Sequence, residues 1–388
     1  MNIYYNDKQG WFHKDTQLQF GDKIVNPQQP LQPSYCFLIK NTKTKAGPLI
    51  GILTSGTENG KIFGDFKRWA QLQEELQQSG GISFLFTPFS LQEDKIYGYV
   101  YLINLKRWRK CTMPYPDIVY NRVPYRTHEK LSSVQQALLH FQQKHIPVFN
   151  PSFFSKWQVY ETLQANSYLQ SFLPHTRLLR TEHDLEIMLL QHKKLYIKSC
   201  ESAKGKHLFT LEQLQNGRLI RQNIKEVPIE TNMKDVYRFL STSSHSYLAQ
   251  QTIKVAMYKG RPYDLRVLVQ YVRHAFTVTG IGVRVAPKNG IATHVPNGGE
   301  IISIEQLKYP IDIKLIARIA SECGYTLMQK FGNIKEFSID IGIEQNGHYY
   351  IFEINAKPMI FDEPLIQRQA VKNLLNIFEE EAGFSSSN

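Results

Sequence analysis

EFSIDIGIEQNGHYYIFEINAKP, residues Glu336 to Pro358, decides how this chain is read. Two alternating runs, Phe337 to Glu344 and His348 to Asn355, flank Asn346-Gly347. That dipeptide suits a two-residue hairpin turn, whose central positions both need positive φ. With those two residues as the loop, Gln345 faces His348 and Asp340 falls opposite Glu353. Alternation along a strand then places Phe337, Ile339, Ile341 and Ile343 on one face with Tyr350, Phe352 and Ile354. That face belongs to a core. The other carries Ser338, Asp340 and Gly342 with Ile351, Glu353 and Asn355. Opposed side chains lie about 5 Å apart at Cβ, and like charges so placed repel unless a cation sits between them. Two carboxylates and an amide oxygen on a rigid platform are the hard ligands that hold Mg²⁺ alongside waters and phosphate oxygens. A hairpin with one solvated acidic face is the plainer reading of the same residues. Ile351 among the acids and the Asn-Ala-Lys-Pro exit weigh against it.

The remaining composition sets bounds. At 388 residues, 42% hydrophobic and 21% charged, the chain has ample material for two or three domains with their own cores. The start, MNIYYNDKQGWFHKD, has no apolar segment after a basic lead, and no stretch approaches the roughly 18 apolar residues of a membrane span. A soluble cytoplasmic protein without a membrane partner is therefore expected. Cys36, Cys111, Cys200 and Cys323 are scattered, with neither metal-ligand spacing nor a disulfide framework. The net charge of +12 calls for anionic partners. Its densest cluster, Lys106 to Lys110 around Trp108, has no nucleic-acid-binding motif beside it and reads as a solvated loop or edge strand.

The chain divides into a short N-terminal segment (1–45), a small α/β domain (46–148), a larger domain (149–382) and a flexible tail (383–388). The α/β domain opens with the apolar run PLIGILTS from Pro48, followed by a helical stretch from Asp65 to Ser79 and a strand from Ile82 to Phe86. Pro147-Val-Phe-Asn-Pro151 breaks helix twice and marks the boundary. Beyond it come a helix starting at Lys156, a strand Tyr196-Ile-Lys198 running into a polar loop, and the strands Tyr247 to Ile253 and Leu265 to Val272. A long amphipathic helix, Ile311 to Phe331, precedes the hairpin, and a last helix spans Glu363 to Glu381.

A strand lysine, a Gln-rich hinge, Asp-x-Arg, a helix and then Asp…Glu-x-Asn on a hairpin occur in an order that resembles the ATP-grasp superfamily. VYNR (119–122), FSKW (154–157), YDLRVLVQ (263–270), the pair Gly298-Gly299 and EFSIDIGI…FEINAKP more closely resemble the YheC/YheD endospore coat-associated group of bacilli. The resemblance runs from about residue 48 to 380. It implies an ATP-grasp fold of two α+β lobes preceded by a small α/β pre-grasp domain. It also implies Mg²⁺ (or Mn²⁺) and ATP as cofactors, with Lys156 and Lys198 on the nucleotide phosphates as compact point charges. Gln250, Gln251 and Ile253 would form the adenine hinge, and Asp264 would accept from the ribose hydroxyls. Arg266 and Arg284 would stabilise developing charge in catalysis, and Asp340, Glu353 and Asn355 would hold the metal. Lys357, His294, Gly298 and Gly299 would meet the substrate, a small molecule or peptide, and spore-coat proteins are the implied partners.

The chain also departs from the family pattern. The phosphate-covering loop reads Ser199-Cys-Glu-Ser-Ala-Lys-Gly-Lys206, with Gly205 as its sole glycine and Glu201 adding negative charge where backbone N–H groups must approach an anion. Thr293-His294 stands where Thr-Asn is usual, and Met359 where a glycine is usual. Two classes stay open on these residues: a ligase joining a carboxylate to an amine through an acyl phosphate, and a structural coat-associated protein that binds nucleotide without turning it over.

Overall fold

LIGIL, Leu49–Leu53, is buried at every position and runs through the middle of a six-stranded sheet in the computed structural model. The structure describes residues 1–202, 207–223, 227–288, 298–308, 310–359 and 361–384. The sheet's order is Arg107–Met113, Ile96–Leu102, Ile82–Phe86, Leu49–Leu53, Ile118–Asn121 and Val148–Phe149. Its last four strands are parallel, which explains their continuous apolar runs, since both faces are covered. One cover is the helix Phe66–Gln78, capped where the Asp65 carboxylate accepts the Arg68 N–H at 3.1 Å. The basic strand Arg107–Met113 lies on the sheet's outer edge, where Lys and Arg discourage pairing with another chain. Arg109 there is ion-paired with Asp7.

Residues 1–47 form a β-rich layer packed beside that sheet. Its residues form seven short strands in two small sheets, and Ile3, Trp11, Phe20 and Phe37 share one core with Leu49, Phe84 and Phe86. Strands of two to five residues leave little periodicity to read.

The larger domain is two lobes. The first is an antiparallel sheet ordered Thr176–Leu179, Tyr247–Gln251, Lys194–Ser199, Leu208–Gln213, Leu219–Asn223 and Ile229–Thr231, packed on the helices Glu182–His192 and Met233–Ser241. The second is ordered Glu300–Ile302, Ala275–Val285, Arg261–Val272, Glu336–Ile343 and Tyr349–Asn355. One of its faces packs on the helix Ile313–Phe331 through Ile316, Ile319, Ala320, Cys323 and Leu327. The last helix, Pro364–Glu381, leaves that lobe to place Leu374, Ile377 and Phe378 against Ile50, Tyr120 and Phe149 of the N-terminal domain. This is the expected arrangement of two α+β lobes behind an α/β domain.

In the hairpin, Asp340 faces Glu353 as expected, by two departures that offset each other. The Glu344 N–H donates to the His348 carbonyl at 2.7 Å, so the loop has three residues, Gln345 to Gly347, with Gly347 at φ +91°. Ile341 therefore pairs with Ile351. A bulge beyond that pair restores the register, matching Asp340 with Glu353 and Ser338 with Asn355. The three-residue loop also exchanges faces as far as the bulge. Tyr349 and Ile351 turn into the core, whereas Phe352, expected there, lies over Gly342 on the opposite face. A Cβ at 342 would stand 2.1 Å from the Phe352 ring.

Candidate functional site

The face of the second lobe's sheet turned away from the Ile313–Phe331 helix carries the charged residues in two rows. Arg266 opposes Asp340, and Asp340 opposes Glu353; beside them Arg284 opposes Asp264, and Asp264 opposes Gly342. Their strand neighbours Leu265, Val267, Val283 and Val285 are buried in the core, so alternation fixes the arginines on the cleft side. Arg266 grips Asp340 with both ends, Nε to Oδ1 at 2.7 Å and an NH₂ to Oδ2 at 2.9 Å. Burial works against the charge on Arg266. Asp340, helped by Asp264 and Glu353, outweighs it and holds the guanidinium pKa above its ordinary value.

Glu353 is 3.0 Å from the Lys156 ammonium, which arrives from the first turn of the helix Lys156–Gln164. Lys156 is tethered there twice, by its N–H to the Cys200 carbonyl at 2.9 Å and by Nζ to the Ser202 carbonyl at 2.6 Å. Repulsion between the opposed acids is thus offset by a cation on each. Asp340, Glu353 and Asn355 offer oxygen donors alone, a set that fits Mg²⁺ or Mn²⁺ better than any soft metal. Among the described residues no three His, Cys, Asp or Glu side chains cluster as a metal site, so an ion here would draw its remaining ligands from water or phosphate.

Lys198, next to last in the strand Lys194–Ser199, donates to the side-chain oxygen of Gln250, and Gln250 Nε2 donates to Thr176 Oγ1 at 3.0 Å. Gln250 therefore orients a lysine. Burial pushes the Lys198 pKa down to about 8, with Lys156 acting the same way and Glu353 and Asp340 opposing. Lys198→Ala is expected to weaken ATP binding about tenfold or more, the loss of one charge-assisted hydrogen bond, as read by calorimetry. Only the ammonium form attracts phosphate, so affinity should fall as pH rises through about 8. In Lys198→Arg that fall should vanish from the same range.

Gln251 is bound to His175 twice, by its N–H to the carbonyl at 2.9 Å and by its side-chain oxygen from the His175 N–H at 2.9 Å. Ile253 is buried at the start of the crossing between lobes, which joins the second sheet through the Ala256 N–H to the Ile343 carbonyl at 2.7 Å. Between the lobes lies a cavity of about 30 Å³, lined by Lys156, Tyr160, Lys198, Gln250, Phe352 and Glu353 among others. That is room for little more than a water or two.

Arg284 is 5% exposed, and its Nε has no hydrogen-bond partner. Burial first, and Arg266 second, lower its pKa, while Asp340, Asp264 and Glu363 oppose them. Lys357 points elsewhere: its ammonium binds Glu129 and the Asn121 amide oxygen at 3.0 Å and lies over the Phe153 ring. It ties the larger domain to the N-terminal one. Burial carries its pKa down to about 8, with Glu129 opposing. Gly298 and Gly299 lead into the edge strand Glu300–Ile302, which pairs with the Arg284 strand. His294 lies outside the described residues.

Two site residues had no signal in the sequence. Arg126, from the N-terminal domain, donates to the Phe154 carbonyl and leaves its buried Nε without a partner. Burial lowers its pKa, and Glu353 is the foremost charge opposing that. Glu363 stands at the head of the last helix beside Gly282. Neither belongs to a periodic run, and only the packing of domains brings them to the acids.

Residues 145–379 match the model of the YheC/D like ATP-grasp family. The chain is 30% identical over 353 residues to the endospore coat-associated protein YheD of Bacillus subtilis strain 168, covering 84% of this chain and 76% of that protein. It is 22% identical to YheC of the same strain over 301 residues, 72% of this chain and 81% of that one. Among solved structures, D-alanyl-alanine synthetase A from Vibrio cholerae is similar in fold, with a TM-score of 0.51 at 11% identity over 87% of this chain and 99% of that one. No described helix is long and apolar enough to cross a membrane. With its core motifs inside the matched segment, the chain belongs to the YheC/D-like ATP-grasp family.

Proposed function

We propose that this chain is a Mg-ATP-dependent ligase that activates a carboxylate as an acyl phosphate and joins it to an amine, in association with the spore coat. The observation that carries the reading is the placement of Arg266 and Arg284 beside Asp340 and Glu353 on one sheet face, with Lys156 ion-paired to Glu353 and Lys198 facing them from the first lobe across the cavity. Asp340, Glu353 and Asn355 would hold Mg²⁺, which when bound neutralises charge on the terminal phosphates. Lys156 and Lys198 bind the phosphate chain, and Asp264 the ribose. A substrate carboxylate oxygen attacks the terminal phosphorus, the bond to the ADP oxygen breaks, and ADP leaves with that electron pair. An amine then attacks the acyl carbon and phosphate departs. Arg266 and Arg284 face the charge that builds up on the transferring group and on the acyl oxygen.

Hydroxylamine supplied during turnover with Mg-ATP and pooled amino acids and short peptides should trap the acyl phosphate as a hydroxamate. ADP release into a stable phosphorylated product, without hydroxamate, would assign a kinase instead. Mg-ATP binding with no turnover on any acid would favour a non-catalytic coat-associated protein. The glycine-poor stretch 199–206, with Glu201 drawn into an ion pair with Lys130, is the observation that supports this second reading.

A further inference from the structure

Glu363 is a carboxylate that the fold buries without a use. Both its oxygens are inaccessible and lack any hydrogen-bond partner among the described residues, and it makes no side-chain cap to the helix it precedes. It lies flat on the cleft face of the second sheet, because Gly282 leaves the room: a Cβ at 282 would stand 2.2 Å from Oε1. Gly282 directly opposes Arg266. Across the sheet the order is therefore Glu353, Asp340, Arg266, Glu363. Arg284, next on the Gly282 strand, feels the Glu363 charge, yet no ion pair joins them. The field of a helix N-terminus favours a carboxylate there. It does not repay two desolvated oxygens, which call for a donor.

Resting on the ligase reading above, we propose that Glu363 is the acceptor-amine subsite: it binds the substrate ammonium and takes a proton from it. The arrangement puts phosphate chemistry on one side of Arg266 and the amine on the other. One N–H bond of the ammonium breaks and its proton moves to a Glu363 oxygen. The freed nitrogen pair forms the bond to the acyl carbon, the bond to the phosphate oxygen breaks, and phosphate leaves with that pair and accepts the second nitrogen proton. A general base of this kind contributes about 10²–10⁴-fold.

Glu363→Gln tests it, with Mg-ATP, pooled amino acids as acids and amines, and hydroxylamine as a competing acceptor that is uncharged at neutral pH. The ratio of amide to hydroxamate should fall about a hundredfold, while Tm holds or rises because a buried unpaired charge is gone. An unchanged ratio overturns the subsite and leaves the ligase reading standing. Absence of both products in the wild-type protein overturns the ligase reading, and the subsite with it.

Discussion

Asp340→Ala is expected to abolish Mg²⁺-dependent nucleotide binding and to cost about 3–5 kcal/mol of folding stability, the toll of stranding a buried charge. The stranded group is Arg266, whose Nε and one NH₂ donate to the Asp340 carboxylate at 2.7 and 2.9 Å. Removing both partners should hurt less than removing one. Asp340→Leu with Arg266→Met, two apolar side chains of similar volume, should recover most of the lost stability while staying inactive. Denaturant midpoints for Asp340→Leu, Arg266→Met and the double variant measure this directly. Double-variant stability equal to the sum of the singles would mean that the pair is not coupled.

Arg284→Met should show the opposite signature. Turnover should fall about 10²–10³-fold, the usual loss when a preorganised donor facing developing charge is removed. Stability should hold or increase, since the guanidinium is buried with its Nε unpaired among the described residues and the Phe361 ring 5.8 Å from it. A variant that unfolds readily with its activity intact would make Arg284 a structural residue.

The hairpin shows how much of this was legible in the chain. Asn346-Gly347 announced a turn and the alternation announced two strands, so Asp340 and Glu353 could be matched before any fold was known. The match survived a three-residue loop because a bulge at Phe352 added the residue that the loop withdrew. The bulge itself had no local mark, and the three-residue loop, which shifts the register by one on the turn side of it, is why Ile351 and Phe352 occupy each other's expected faces. Arg266 and Arg284 were readable as cleft-facing from their valine and leucine neighbours. Lys198 was readable from its place at a strand end. Gln250 was placed near the base by position alone, and its side-chain oxygen accepts from Lys198. Lys357 is likewise taken by Glu129, a partner more than two hundred residues away that local pattern cannot reveal. Arg126 and Glu363 follow the same logic: each reaches the cleft through contacts between domains, which no periodicity records. The first 45 residues hid their strands by brevity, and Trp11 and Phe20 declare their core only beside Leu49 and Phe84.

Everything in the functional account depends on Asp340 and Glu353 holding a divalent cation together with ATP. Mn²⁺ titrated into the protein with a non-hydrolysable ATP analogue, and followed by the loss of the free-ion electron paramagnetic resonance signal, reads that binding without any turnover. The account predicts saturable Mn²⁺ binding that requires the nucleotide in the wild-type chain, weakened at least about tenfold in Glu353→Gln, whose fold keeps its hydrogen-bonding shape. Equal Mn²⁺ binding by Glu353→Gln and the wild-type protein, with the nucleotide bound to both, would contradict it.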